Sequence, residues 1–241
     1  SRYSLAWLKS EQLALALSTY QSNRLLLLGR KPQGREEEEK LGLFERLFER
    51  PMGLCVEDDQ AFWLSTRYQL WRFVNVLAPG QQYEGGDRLY VPRQSWVTGD
   101  LDIHDLVVDE TGRPIFVATA LNGLATVSAS HNARPLWRPP FITRWVAEDR
   151  CHLNGLAIRD GKPRYVTLVG QADGVDGWRE HRSTGGLVMD IEDNEILARG
   201  LSMPHSPRYY RGRLWLLNSG TGEFGWIDLE TGRFKPLAFC P

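Results

Sequence analysis

Four stretches of the chain repeat one arrangement at a nearly constant interval, and this repeat restricts the possible folds more than any other feature. Each opens on a short polar or small-residue entry, runs on as an apolar strand, turns, and returns as a second strand. The entry strands read Pro51-Met52-Gly53-Leu54-Cys55-Val56, Ile103-His104-Asp105-Leu106-Val107-Val108, Leu153-Asn154-Gly155-Leu156-Ala157-Ile158 and Pro204-His205-Ser206-Pro207-Arg208-Tyr209. Their turns are Asp58-Asp59, Asp109 to Gly112, Asp160-Gly161 and Arg211-Gly212, and the returning strands are Phe62 to Thr66, Ile115 to Thr119, Arg164 to Leu168 and Leu214 to Asn218. From Met52 to His104, Asn154 and His205 the successive steps are 52, 50 and 51 residues. A period near fifty with several strands per unit marks the blade of a β-propeller, one four-stranded sheet packed face to face on its neighbours.

The expected fold is therefore all-β, a single β-propeller domain over residues 1–241 with blades of about 50 residues. Residues 1–50 form a partial first blade and connection, residues 51–102, 103–151 and 152–203 form blades, and 204–241 starts a further one. Later strands of the units read in Leu124 to Val127, Gly186 to Asp190 and Phe224 to Asp228, and an earlier pair in Leu13 to Leu17 and Leu25 to Leu28. Read this way, the last blade stops after its third strand. Closure into a ring is what removes exposed sheet edges. The expectation is thus a six-bladed ring in the complete protein, incomplete at the C-terminus here, with further sequence or a partner chain covering the open blade edge. The 23 glycines, 13 prolines and 11% aromatic residues suit short strands and tight turns. Helix is confined to a short segment within residues 3–13. Leu43, Phe44, Leu47 and Phe48 have helical spacing, but their place before Pro51 favours a blade's outer strand. The Glu36 to Glu39 run reads as a solvated loop.

Charge and apolar runs exclude whole classes of function. The 29 Lys and Arg against 30 Asp and Glu give a net charge of -1, with no basic cluster to track phosphates, so nucleic acid is not an expected partner. Runs such as Leu25 to Leu28 fall far short of the roughly 20 residues a membrane helix needs, so no membrane insertion is expected. Cys55, Cys151 and Cys240 are too few and scattered for a disulfide framework or zinc-finger spacing, which points to a reducing, cytoplasmic setting.

The segments Asp102 to Asp105, Glu148 to Ala157, Leu201 to Arg208 and Leu214 to Gly225 together resemble a bacterial, often cyanobacterial, family of uncharacterised β-propeller proteins of the DUF4915 type. The resemblance runs from about Ser4 to Pro241, and it implies a fold without an activity. Members of that family continue past the equivalent of Pro241, and this sequence departs from the pattern there. A more distant similarity is to the gluconolactonase-like six-bladed propellers, where an Asn-Gly-Leu entry strand supplies an axial metal ligand. Asn154-Gly155-Leu156 matches that element, while His104 and His205 stand where those enzymes more often carry Asn or Asp.

Equivalent positions on successive blades converge on a propeller's axis, and Met52, His104, Asn154 and His205 share one register. His152, two residues before Asn154, shares its side if the strand is regular there. Three of the five histidines therefore map to one predicted ring. Two readings stay open. His104, His152, Asn154 and His205 are a candidate divalent-metal or small-ligand site, with Asp105 as an oxygen ligand or orienting group, able to lower the pKa of a bound water for hydrolysis. Alternatively they only hydrogen-bond neighbouring carbonyls in a wet channel. Met52 reads as packing, and His131 and His181 as loop residues.

Asp105, Trp178, Arg179 and Asn218 are the further candidates for substrate contact. The long loop from Asp173 to Gly186, which holds Trp178 and Arg179, reads as a binding lip or as a plain connection. Cys151 points away from His152 on a strand, which disfavours a Cys-His nucleophile. Gly220, Gly222 and Gly225 lack the strand-to-helix setting of a phosphate loop. Whether the chain is an enzyme stays undecided at this level. One hypothesis is a metal-dependent lactone or ester hydrolase, or a small-ligand binder, using the axial residues. The other is a non-catalytic scaffold propeller whose partner is another protein, in keeping with nine Trp residues and no paired-carboxylate or triad signature.

Overall fold

The computed structural model describes residues 3–32 and 39–240. It is all-β with the sheet architecture of a β-propeller, and its strands form one three-stranded and four four-stranded antiparallel sheets. The chain divides into two compact units, Ser1–Trp96 and Val97–Pro241. No helix among the described residues is long and apolar enough to cross a membrane.

Unit 1 opens with α1 (Ser4–Ser10), then β1 (Leu15–Thr19), β2 (Arg24–Pro32) and β3 (Glu39–Leu47), paired in that order. The next sheet is the meander β4 (Leu54–Val56), β5 (Ala61–Ser65), β6 (Gln69–Asn75) and β7 (Tyr90–Val97). Leu25 of the first sheet packs on Phe62, Leu64 and Phe73 of the second. The segment holding Leu43 and Phe44 is a strand, as its place before Pro51 requires. Of the acidic run, Glu36 to Glu38 lie outside the described residues. Glu39 starts β3 and pairs with Lys9 at 3.2 Å and Arg30 at 3.0 Å.

Unit 2 holds three meanders. They are β8 (Ile103–Val108) to β9 (Pro114–Ala118), β10 (Gly123–Thr126) and β11 (Arg134–Trp137); β12 (Leu153–Arg159) to β13 (Lys162–Leu168), β14 (Gly186–Asp190) and β15 (Glu195–Leu201); and β16 (Pro204–Tyr210) to β17 (Arg213–Asn218), β18 (Glu223–Ile227) and β19 (Phe234–Phe239). The expectation that the last blade ends after its third strand is corrected by β19. Pro236 is tolerated because β19 is an edge strand, where a missing backbone donor costs no ladder bond.

The middle sheet is buried on both faces, and the two-residue period of its strands sorts the side chains. Leu156, Val166, Leu187 and Met189 pack towards Val107, Ile115 and Val117 of the preceding sheet. Ala157, Tyr165 and Val188 pack towards Leu214, Leu216 and Ile227 of the following one. This explains the consecutive apolar residues Leu156 to Ile158, Tyr165 and Val166, and Leu187 to Met189 within these strands.

The first strands of these sheets, β8, β12 and β16, lie side by side. Ile103 pairs with Ala118, Leu153 with Leu168 and Pro204 with Asn218, so His104, Asn154 and His205 occupy equivalent second positions. Gly155 permits the close approach of β12 and β16, because a Cβ there would meet Pro207 Cδ at 2.3 Å. The three strands are also joined through one carboxylate. Asp105 on β8 accepts the Leu106 N–H at 2.9 Å and the Leu156 N–H at 3.2 Å. It also takes a forked pair of bonds from Arg208 on β16, at 2.7 and 2.9 Å.

Asp105 is 4% exposed, whereas the Arg208 side chain is 47% exposed, and this asymmetry predicts the outcome of mutation. Arg208→Ala leaves an uncompensated buried carboxylate and is expected to cost about 3–5 kcal/mol. Asp105→Ala leaves two amides short of an acceptor but frees Arg208 to reach water, at about 1–3 kcal/mol. Urea unfolding of the two variants checks the order, and an Asp105→Ala protein less stable than Arg208→Ala contradicts it.

Candidate functional site

The start of each inner strand in unit 2 carries one backbone device. Asp102, His152 and Met203, two residues before His104, Asn154 and His205, all have left-handed backbones with φ of 53°, 49° and 46°. Such a conformation costs a non-glycine residue of order 1–3 kcal/mol. Its local effect is to fold the preceding carbonyl back under the strand's second residue. His104 Nδ1 lies 2.9 Å from the Asp102 carbonyl, and His205 Nδ1 lies 2.7 Å from the Met203 carbonyl. A carbonyl only accepts, so both rings carry their proton on Nδ1 and keep Nε2 as an acceptor. Unit 1 has the same turn at Arg50, with φ of 48°, before Met52.

His152 is placed differently from the expectation of a regular strand. It precedes β12 in the left-handed turn, and the ladder shifts register between Leu153 and Gly155. Simple alternation therefore does not put it beside Asn154. Instead its ring meets His104, with centroids 5.0 Å apart and planes at 81°, and lies 4.3 Å from the Trp178 ring. Asp149 grips it from behind: one carboxylate oxygen accepts the His152 backbone N–H at 3.0 Å and the other accepts Nδ1–H at 2.7 Å. This Asp-His pair leaves Nε2 as the working atom of His152.

The remaining contacts tie the group to its sheets. Thr119 Oγ1 donates to the Leu153 carbonyl at 2.6 Å and lies 2.9 Å from His104 Nδ1, so one hydroxyl bridges two sheets. Thr167 donates to Asn154 Oδ1 at 2.7 Å, which turns Asn154 Nδ2 towards His205 Nε2 at 3.4 Å. Burial holds the pKa of both His104 and His205 below the ordinary imidazole value, and the neighbouring His152 pushes in the same direction.

The structure thus brings His104 and His152 together, and Asn154 and His205 together, while Met52 lies in unit 1. Among the described residues no group of three or more His, Cys, Asp or Glu side chains is placed to hold a metal ion. The edge-to-face contact of His104 with His152 is a packing geometry, and Asn154 presents a donor to the His205 lone pair. The expected metal set therefore remains an expectation, with no such group formed by these side chains as they stand. Asp105 is removed from the ligand-contacting group, since Arg208 and two amides occupy its oxygens. Asn218 holds the Ser202 N–H at 2.7 Å and donates to Glu223 at 3.0 Å, a structural role at the strand end.

Trp178 is 6% exposed and packs on His152, and Arg179 lies over its ring at 4.5 Å while pairing with Asp176 at 3.0 Å. Their loop is anchored where Arg150, 5% exposed in its side chain, bonds Glu148 and Asp173 at 2.7 Å each. Hydrogen bonding from Thr143, with Arg150 second, lowers the Asp173 pKa to about 2. Burial raises the pKa of the Cys151 thiol, which keeps it protonated and unreactive. Sequence reasoning missed Asp149, Thr119 and Thr167. The i, i+3 spacing of Asp149 and His152 was the available signal for the first, whereas the other two act across strands.

The family model described as "Domain of unknown function (DUF4915)" matches residues 3–241. No curated protein matches the sequence. Among solved structures, a virginiamycin B lyase from Staphylococcus aureus is similar at 10% identity and TM-score 0.52, over 94% of this chain and 66% of that one. A gluconolactonase from Xanthomonas campestris is similar at 17% identity and TM-score 0.51, over 96% and 74%. A putative glucose dehydrogenase from Thermus thermophilus is similar at 13% identity and TM-score 0.50, over 94% and 80%. The chain spans about two thirds of the lyase's length. At these identities the likeness is one of fold, and the three activities differ.

The depressed imidazole values predict a pH dependence of stability. An unfolded histidine titrates near pH 6.5, so below that value the unfolded chain binds more protons than the folded one. The contribution of His104 and His205 is therefore present in full above about pH 6.5 and lost as pH falls through their folded values. Urea midpoints are expected to drop over that range, and to drop less in His205→Gln. Equal slopes in parent and variant would contradict this.

Proposed function

The chain belongs to the DUF4915 family, and from that premise we propose that unit 2 carries a small-molecule site at His104, His152, Asn154 and His205, acting as an ester or lactone hydrolase. The observation that carries this reading is the Asp149–His152 pair, in which one carboxylate fixes both nitrogen donors of a histidine packed between His104 and Trp178. In this reading His152 Nε2 takes a proton from water as the water oxygen bonds to the substrate carbonyl carbon. The carbon–oxygen bond to the leaving group then breaks, and the proton returns to the leaving oxygen. A positioned general base of this kind is worth roughly 10²–10⁴ in rate. His104, held neutral by burial, serves as an acceptor that orients the substrate, while His205 holds the Asn154 amide.

The lyase and gluconolactonase folds agree with a catalytic role without specifying it. The reading also takes the complete protein to be a six-bladed ring. A cytoplasmic setting accords with the free thiols of Cys55, Cys151 and Cys240. No step is assigned to a metal.

Hydrolysis of a panel of δ-lactones and acyl esters, followed by pH-stat, tests the proposal. His152→Ala is expected to lose at least 100-fold in kcat, with Asp149→Asn falling in the same direction. Metal analysis is expected to return no stoichiometric ion. Absence of turnover across the panel, or a His152→Ala rate equal to the parent's, would reject the assignment.

A second reading, a scaffold propeller with a protein partner, is favoured by β3 of unit 1. Leu41, Leu43 and Leu47 alternate along it and are 39%, 63% and 69% exposed. If that row is a docking face, the protein should self-associate or bind its partner in light scattering, and Leu43→Lys with Leu47→Lys should abolish this. A monodisperse monomer unaffected by the substitutions would remove the second reading.

A further inference from the structure

The hydrogen-bonding capacity around His152 is unevenly distributed. His104 and His152 have committed Nδ1–H to the Asp102 carbonyl and the Asp149 carboxylate, so each retains an Nε2 acceptor, whereas Nε2 of His205 already faces the Asn154 amide at 3.4 Å. The Asp102 carboxylate lies 3.7 Å from His104 Nδ1, and that of Asp149 is bonded to His152. The guanidinium groups nearby face carboxylates of their own, Arg179 over the Trp178 ring with Asp176, Arg208 with Asp105, and Arg150 with Glu148 and Asp173. Against this excess of acceptors stands one buried donor. The indole Nε1–H of Trp178 meets no acceptor among the described residues, although the residue is 6% exposed and its ring packs on His152. A buried donor in that state lacks the partner that a bound oxygen atom would supply.

These requirements select among ligand classes. An anion offers acceptors alone and meets the Asp102 and Asp149 carboxylates. An ammonium group offers donors alone and leaves the Trp178 N–H unsatisfied. A hydroxyl group both donates and accepts and carries no charge. We infer that the site takes an uncharged polyhydroxylated molecule, a polyol or sugar, whose hydroxyls donate to Nε2 of His104 and His152 while one of its oxygens accepts the Trp178 indole N–H. This rests on the reading that these two imidazoles face one ligand, and it adds the chemical class of that ligand.

Protein labelled with ¹⁵N in histidine and tryptophan, titrated by NMR with myo-inositol, methyl α-D-glucopyranoside, gluconate and putrescine, provides the test. Trp178→Phe identifies the indole signal, and the spectra of each variant report whether it is folded. The expected result is that at least one neutral probe shifts the Trp178 Nε1–H and the Nε2 signals of His104 and His152. Its affinity should fall about tenfold or more in Trp178→Phe and in His104→Phe. Preference for gluconate or putrescine over both neutral probes overturns the ligand class while leaving a ligand site in place. A neutral probe that moves the histidine signals but not the indole overturns the donor role of Trp178 and marks an internal water as its partner. No shift with any probe, while an unsubstituted δ-lactone is still hydrolysed through His152, rejects the polyol class and leaves the hydrolase reading standing. No shift and no hydrolysis removes both.

Discussion

A single buried carboxylate fixes the spacing on which the candidate site depends. Asp105 receives an amide from its own strand, an amide from β12 and a guanidinium fork from β16. It thereby joins three strands at one point, where the other links between their sheets are side-chain packing and single hydrogen bonds such as Thr119 to the Leu153 carbonyl. The arrangement is directional, so strand starts that lie 50 and 51 residues apart in sequence come into a defined relation. Gly155 and Thr119 act on the same junctions, the first by omitting a side chain where Pro207 approaches and the second by bridging His104 to the Leu153 carbonyl.

Within that frame, backbone conformation decides side-chain chemistry. The left-handed residues before the second position of β8 and β16 bring a carbonyl under Nδ1 of His104 and His205. Backbone strain of about 1–3 kcal/mol per residue is thus coupled to a particular tautomer, and burial keeps the rings uncharged. The same turn before Asn154 holds His152, which Asp149 orients instead. One local motif therefore yields two kinds of imidazole, a pair of neutral acceptors and one paired with a carboxylate. Because the rings meet edge to face, the group is better suited to hydrogen bonding than to enclosing an ion.

Three similar folds with lyase, lactonase and dehydrogenase descriptions illustrate that propeller sheets do not select a reaction. What distinguishes this chain is the identity of the residues at the strand starts and in the loop that carries Trp178. That loop is held by the Arg150 contacts to Glu148 and Asp173, so an ion-pair network outside the imidazole group positions the indole against His152.

The amino-acid sequence by itself determined the repeat and the common register of its entry strands. A repeat near fifty residues and a two-residue apolar period follow from local strand geometry, and they placed His104, Asn154 and His205 at equivalent strand positions. It also singled out Trp178, whose loop is longer than the corresponding turns. Tertiary structure alone decided the roles. Asp105 and Asn218 carry the right chemistry for ligand contact, but Arg208, Ser202 and Glu223, brought in by folding, occupy their hydrogen-bonding atoms. His152 met His104 through a left-handed turn and a register shift that strand alternation does not describe. The physical reason is that periodicity reports which way a side chain leaves its own strand, whereas the partners that satisfy its polar atoms come from other strands and are set by how the sheets pack.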